Sequence, residues 1–393
     1  MPTIRWKNTF YRYFLPFWGA ENTHAPHSIV SCPSAHASPP VQLQRLLEKH
    51  HVVGSSIAYF SNNHLQWISY YGYRQLPNRL VDENTFFRCA SITKLFIALG
   101  ALCLVEEGTL SLEEDLRPYL SPYLRHPLFP DTPITLFHLL THTSSIIDGP
   151  EYFSSLQNPS SLPPLLQSPD SYSSFMPGDH FSYSNFAFGL IGSLIELLSG
   201  LSLENYMQRK VFSPLGMQAT FDLTTVQKTS AIADGYQVLS RKRHSPFLLF
   251  NGEKKQHTAK PISDPAPYEN YSYGAGSLFS NASSLAAIFS LFLHEGVPLF
   301  SPDLFHALFS PHIPHGKGKP LFSQGLGVAK IIDVSAQIPM LWGHQGFAYG
   351  VAQGLFYNPA TQKGVVSLNS GSSLYRQNGL SALSKDLIEL CLT

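Results

Sequence analysis

Residues Phe87 to Leu116 read FRCASITKLFIALGALCLVEEGTLSLEEDL, an apolar run that opens on small and hydroxylated residues and stops at a glycine. The run predicts a helix from about Ser91 to Glu107, with Gly108 as its C-cap. Residues three apart on a helix are separated by about 300°, so Ser91 and Lys94 lie within roughly 60° of each other on one face. Ser91 opens the helix, where unpaired N–H groups and the positive dipole end favour negative charge developing on oxygen. Lys94 can then act on the Ser91 proton or stabilise its alkoxide. This is the only Ser-x-x-Lys of the chain, yet about one or two are expected by chance at average composition. An ordinary N-cap serine and a surface lysine explain it equally well, so the rest of the chain has to decide.

Strand patterns stand on either side. Upstream, Val41 to His51 (VQLQRLLEKHH) is helical by its spaced apolar positions, and VVGSSIAYF, SNNH and LQWISYYGY make a strand, turn, strand unit. Downstream come helical segments and Pro-rich loops (TLFHLLTH, NFAFGLIGSLIELLSG, SLENYMQRKVFSPLG), an aperiodic surface excursion from about Leu223 to Glu269, and the helix SSLAAIFSLFLHEG. The chain closes with strands GVAQGLFYNP and KGVVSLNSG, joined by ATQ, and the helix LSALSKDLIELCL. Strands at both ends with helices between predict an α+β fold in which the two ends share one antiparallel sheet. The expected organisation is a tail over 1–40 and one unit over 41–393. Within that unit an α/β lobe (about 41–90 and 270–393) faces a mostly helical lobe (about 91–269), with a cleft between them.

Composition narrows the function. The 393 residues carry 26 Lys+Arg against 26 Asp+Glu, a formal net charge of 0, so no basic excess exists to neutralise phosphates and nucleic acid is not an expected partner. The run Arg241 to His244 (RKRH) reads as a solvated loop. Cys32, Cys89, Cys103 and Cys391 show no metal-ligand spacing, and neither a metal nor a cofactor is implied. Cys89 and Cys103 lie in apolar surroundings and read as buried free thiols. No run of 18 apolar residues suggests a transmembrane helix. Pro16 and the aromatic content make the first twenty residues a poor secretory segment, IVSC at Ile29 to Cys32 is only a faint lipoprotein-like site, and the stretch to Pro40 reads as a disordered tail.

Two further motifs carry chemistry. Tyr183-Ser184-Asn185 sits at a turn before an apolar helix, after Pro177 and Gly178. Tyr183 can serve as a general base if a neighbouring ammonium lowers its pKa from about 10. Asn185 offers a carbonyl and an amide, suited to a lysine and a substrate amide at once. The bland alternative is a packed aromatic and a helix N-cap. His344-Gln345-Gly346, in LWGHQGFAYG, opens a late strand where glycine permits close backbone approach and free N–H groups can donate to an oxyanion. His344 adds a hydrogen bond or, near neutral pH, a charge. A His-x-Gly triplet alone is weak, since His294-Glu295-Gly296 is a second instance with a helix-capping explanation.

Together the three motifs, in this order and about 90 and 160 residues apart, resemble the serine β-lactamase and penicillin-binding-protein superfamily. The chain looks most like the branch with class C β-lactamases, DD-peptidases, D-aminopeptidases and esterases. ITLFHLLTHTSSI, VFSPLGMQAT and YGAGSLFSNASSLAAIF look like further blocks of that branch, so the resemblance runs from Val41 nearly to the C-terminus. It implies Ser91 as the acylated nucleophile and Lys94 and Tyr183 as the proton-transfer pair. Asn185 would position Lys94 and the substrate amide, His344 would stand where relatives have a third-motif cation, and the N–H groups of Ser91 and Phe347, the residue after Gly346, would form the oxyanion hole. It also favours a cell-envelope location and a small-molecule or peptide substrate, a cell-wall peptide or a β-lactam. Two departures matter. His344-Gln345-Gly346 replaces the Lys-Thr/Ser-Gly of β-lactamases, which removes a permanent charge and a hydroxyl, so peptidase or esterase activity is expected ahead of β-lactamase activity. Ala275-Gly276 replaces a glycine pair, which is tolerable. A catalytically silent binding protein of the same fold is the competing reading. The loops of about Ser144 to Phe175 and Leu223 to Glu269 give no reading of substrate.

Overall fold

A computed structural model describes residues 27–31, 40–76, 78–156, 161–226, 231–240, 248–255, 262, 264–310, 313–315, 321–348, 350–372, 375–377 and 379–393. The first twenty residues, Arg241 to His244 and Cys32 lie outside them. The elements that place the site are β1 (His27–Ser31), α1 (Gln42–Lys49), β2 (Gly54–Ser61), β3 (His64–Gln75), β4 (Thr85–Arg88), α2 (Thr93–Glu106) and α3 (Asn185–Ser199). After the middle of the chain come β5 (Ile313–His315), β6 (Leu321–Gln324), β7 (Ala329–Ile332), β8 (Met340–Ala348), β9 (Val351–Asn358), β10 (Lys363–Ser370) and α4 (Ala382–Leu392).

The fold is α+β, and one ten-stranded sheet runs β1-β3-β2-β10-β9-β8-β7-β6-β5, with Arg79–Leu80 attached to β3. The two chain ends meet where β2 pairs antiparallel with β10, Ile57 opposite Ser367 and Gly364 opposite Phe60. Strands β5 to β7 extend the sheet beyond the expected set. Their short stretches lack the alternation that marks a strand. The tail expected to be irregular contributes the edge strand β1, antiparallel to β3.

Alternation along the central strands builds two cores, because successive side chains leave a strand on opposite faces. Ala58 and Phe60 of β2, Leu355 and Tyr357 of β9, and Val366 and Leu368 of β10 pack with the helices of the large core. Ile57, Phe356 and Val365 point the other way, onto Leu43 and Leu47 of α1 and Leu383, Leu387 and Ile388 of α4. The sheet is thus covered on both faces, which explains why every residue of β9 is buried. Cys89, Cys103 and Cys391 are buried free thiols.

Helix α2 is buried at every position from Thr93 to Leu104, and Phe186 to Glu196 of α3 are buried beside it. An all-round apolar helix belongs inside a domain, so the motifs at the two helix starts are carried on central elements. Leu223 to Glu269 is more than a surface excursion where it is described. Leu223 and Val226 pack with Phe86 and Phe279 in a small core, and Gly235–Ser240 pairs antiparallel with Leu248–Lys255. Among the described residues no single helix is long and apolar enough to cross a membrane.

Candidate active site

Strand β4 leads the chain to Ala90, whose φ of 49° lies in the left-handed region that costs a non-glycine residue about 1–3 kcal/mol. This residue turns the backbone out of the strand and into a 3-10 turn, Ala90–Ile92, which runs straight into α2. Ser91 therefore stands on the turn before the α-helix, which starts at Thr93, two residues later than expected. The turn is held from behind. Cys89 N donates to Leu278 O at 2.8 Å, Arg88 Nε to Gly276 O at 2.9 Å, and Gln353 Nε2 to Arg88 O at 2.8 Å.

One turn into the helix, Lys94 is 0% exposed. Its Nζ lies 2.8 Å from Asn185 Oδ1 and 3.4 Å from Ser91 Oγ, and it donates to the carbonyl of Ala275. The departure at Ala275 is thus accommodated, since the site uses its backbone oxygen. Tyr183 hydrogen-bonds the Ser91 side chain from the turn before α3, and Lys94 Nζ is 5.0 Å from its ring centroid. Ser91, Lys94, Tyr183 and Asn185 are all brought together.

The electrostatics differ from the simplest expectation. Burial disfavours the ammonium and lowers Lys94 to about 7, with nearby Asp148 opposing and Arg88 adding to the shift. Crowding of the phenol by the surrounding protein raises Tyr183 above its ordinary value, although the residue as a whole is 42% exposed. A tyrosine made acidic by its neighbour is therefore not what forms here. Desolvation lowers the amine and raises the phenol, most completely at Lys94.

Helix α3 is capped by Ser184, whose Oγ accepts from Ala187 N at 3.0 Å, so Asn185 is the first helical residue and its side chain is left for the site. Asp148, in a loop that carried no sequence signal, secures this start. Its Oδ1 accepts from Phe186 N at 2.8 Å and Ser184 Oγ at 3.1 Å, and its Oδ2 from Asn185 Nδ2 at 2.7 Å. His142 backs Tyr183 with ring centroids 4.4 Å apart, and its Nδ1 accepts from Ser184 N at 3.2 Å. It lies in THTSS, one of the blocks that resembled the family, so its place was partly readable.

The facing wall is β8. Its pairing with β7 runs from Met340 to Gly343 and stops, whereas its pairing with β9 continues to Ala348. Past Gly343 one edge is released, and the Ser91 turn packs there. A Cβ on Gly346 would meet Cys89 O at 2.4 Å and Ala90 Cβ at 3.2 Å, so only glycine allows the strand this close to the turn. Phe347 follows, its ring centroid 3.6 Å from the guanidinium carbon of Arg376, a second residue that no motif announced. His344 is buried on the same strand, and its Nδ1 lies 2.6 Å from Gln345 O. A carbonyl only accepts, so Nδ1 carries the proton. The Gln345 side chain is committed elsewhere, donating to Gly379 O and accepting from Ser381 N, both at 2.9 Å. It takes the place of a family hydroxyl without offering its amide to the cleft.

Comparison with known proteins adds the following. A family model described as Beta-lactamase matches residues 42–378. Penicillin-binding protein 4* of Bacillus subtilis (strain 168) is 30% identical over 184 residues, 45% of this chain and 39% of that protein. The D-alanyl-D-alanine-carboxypeptidase/endopeptidase AmpH of Escherichia coli (strain K12) is 29% identical over 172 residues, 42% of this chain and 44% of that one. The aligned region is thus less than half of either relative. Among solved structures, the octameric penicillin-binding protein homologue from Pyrococcus abyssi superposes with a TM-score of 0.69 at 26% identity, over 89% of this chain and 75% of that one.

Proposed function

Because the chain belongs to the β-lactamase family, we propose that it is a serine hydrolase that acylates on Ser91 and cleaves an amide or ester bond. Lys94 is the initial base in this reading. As a neutral amine it has two N–H groups and one lone pair. Its two carbonyl partners, Asn185 Oδ1 and Ala275 O, only accept and so take the N–H groups. The lone pair is left toward Ser91 Oγ, 3.4 Å away. That arrangement, in a lysine poised near 7 by burial, is the observation that carries the proposal.

The Ser91 hydroxyl gives its proton to Lys94 as Oγ bonds to the substrate carbonyl carbon, and the resulting oxyanion is met by the N–H groups of Ser91 and Phe347. Tyr183, kept protonated by its raised pKa, hands its proton to the departing nitrogen or oxygen and regains one from Lys94. Water then attacks the acyl-enzyme by the same path reversed, with Tyr183 and Lys94 taking its proton. Asn185 holds Lys94 and the substrate amide, and His344 meets the substrate group that relatives address with lysine. The cleft lies between a sheet lobe (about 41–90 and 270–393) and a helical lobe (about 91–269).

Peptidase or esterase activity is favoured over β-lactamase activity, because His344 and Gln345 replace the lysine and hydroxyl, and Gln345 is engaged with Gly379 and Ser381. The relative that carries a carboxypeptidase name supports a D-amino-acid peptide as one substrate class. A panel of p-nitrophenyl esters, nitrocefin and D-Ala-D-Ala peptides, run on the wild type and Ser91→Ala, tests this. Ester or peptide turnover lost in the variant is expected. Turnover of none of the three would favour a silent binding protein, and nitrocefin as the best substrate would overturn the ranking.

A further inference from the structure

Burial dominates the proton affinity of Lys94, and the next largest influence comes from Asp148, which does not touch it. Asp148 lies in the loop before Gly149 and accepts three hydrogen bonds at the start of α3, from Ser184 Oγ, Phe186 N and Asn185 Nδ2. A carboxylate has no proton to give, so the Asn185 atom 2.7 Å from Oδ2 must be the NH2 group. The carbonyl end of Asn185 is then forced to the other side, where Lys94 Nζ lies 2.8 Å away. An amide turned over would present its own N–H groups to the lysine and a carbonyl to the carboxylate, two repulsive contacts in place of two attractive ones.

We infer that Asp148 is a positioning residue that fixes the orientation of the Asn185 amide and, through that amide and its own charge, sets the pH above which Lys94 can activate Ser91. This rests on the acyl-transfer reading given above. Besides Lys94, five charged or titratable groups stand on the elements packed around the site. Asp148 favours the ammonium of Lys94, Arg88 from β4 opposes it, and Tyr183 lies beneath Nζ from the turn before α3. His344 stands on β8, the strand that packs on the Ser91 turn. Arg376 also acts on the Tyr183 phenol, favouring its ionised form. Asp148 is the one carboxylate among them, so its charge is the counterweight to burial.

Asp148→Asn keeps the size of the side chain and an oxygen for Phe186 N, but it removes the charge and presents an NH2 group to the NH2 group of Asn185. Lys94 then holds its proton less well, so its titration and the acid limb of the Ser91 acylation rate both move to lower pH, by about half a unit or more for loss of one nearby charge. The loss of the Asn185 contact should also lower the maximal rate by about tenfold, the scale of one misplaced hydrogen bond. The double variant Asp148→Asn with Asn185→Asp restores complementarity across the pair and places the charge next to Lys94. It should return the acid limb to the wild-type position or above it.

Two readouts decide this on the full chain. The first is the titration of Lys94 followed by carbon-13 NMR of lysine-labelled protein, its signal assigned by its loss in Lys94→Met. The second is the pH dependence of labelling by a fluorophosphonate. Downward shifts in the single variant and recovery in the double variant support the inference. A Lys94 titration that does not move, with rate and thermal stability falling together, overturns it in favour of a purely structural Asp148. A wild type that is not labelled at any pH overturns the acyl-transfer reading and the rate half of the inference, while the NMR titration still decides the other half.

Discussion

The two walls of the cleft are built on opposite plans. On the helical side, Lys94, Asn185, Asp148 and the Ser184 cap form a continuous chain of hydrogen bonds from the lysine to the start of α3. On the strand side, β8 approaches the Ser91 turn through a glycine and leaves one edge without a strand partner among the described residues. The first plan controls where protons go, because moving any member forces its neighbours to re-pair. The second controls what can enter, because a bare strand edge constrains backbone approach and leaves the choice of side chain open. Reaction type should therefore depend on the first wall and substrate preference on the second.

Lys94→Met breaks the helical wall most severely. Loss of the general base is expected to slow acylation by about 10²- to 10⁴-fold, measured as the rate of fluorophosphonate labelling. The wild-type rate should rise with pH through about 7, where Lys94 loses its proton. The Lys94 contribution to stability changes in the same direction. The folded value near 7 lies below the ordinary value of 10.5, so between these the unfolded chain binds more protons and wild-type stability increases with pH. Thermal unfolding at pH 6 and pH 8, below the range where the buried cysteines titrate in the unfolded chain, should show this rise in the wild type and a smaller one in Lys94→Met.

Gly346→Ala tests the strand wall. Its Cβ would sit 2.4 Å from Cys89 O, a backbone atom, so the strand must move away from the Ser91 turn and carry the Phe347 N–H with it. A fall in kcat of about 10²-fold is expected, the scale of losing one oxyanion donor, with a stability loss of about 1–3 kcal/mol for the overpacking. Unchanged kcat would show that the strand edge is not part of the oxyanion site.

His344→Asn should have the smallest effect and the most selective one. Neutral esters should keep kcat/KM within a few-fold, while substrates with a carboxylate should lose about tenfold, the worth of one charge-assisted hydrogen bond. Equal losses for both classes would assign His344 to the reaction and erase the division between the walls.

The sequence carried the reaction side well and its supports poorly. Ser91 and Lys94 flank the start of one helix, and Tyr183 and Asn185 flank the start of another, so short spacings encode them and a resemblance completes the set. Asp148 reaches the site from a loop and Arg376 from a two-residue strand, Arg376–Gln377, and nothing in a single Asp before Gly149 or a single Arg near the C-terminus marks its destination. Strands β5 to β7 were missed because short edge strands show too few alternations to be distinguished from loop. The direction of the Tyr183 shift was also out of reach, since it depends on how much water the folded site excludes.

The central claim, that Ser91 is acylated, has a direct test in the mass of the peptide that contains it after incubation with a fluorophosphonate or a labelled penicillin. The wild type should carry one adduct on Ser91 that forms faster above pH 7, and Ser91→Ala should carry none. Equal labelling of the two proteins would contradict the account.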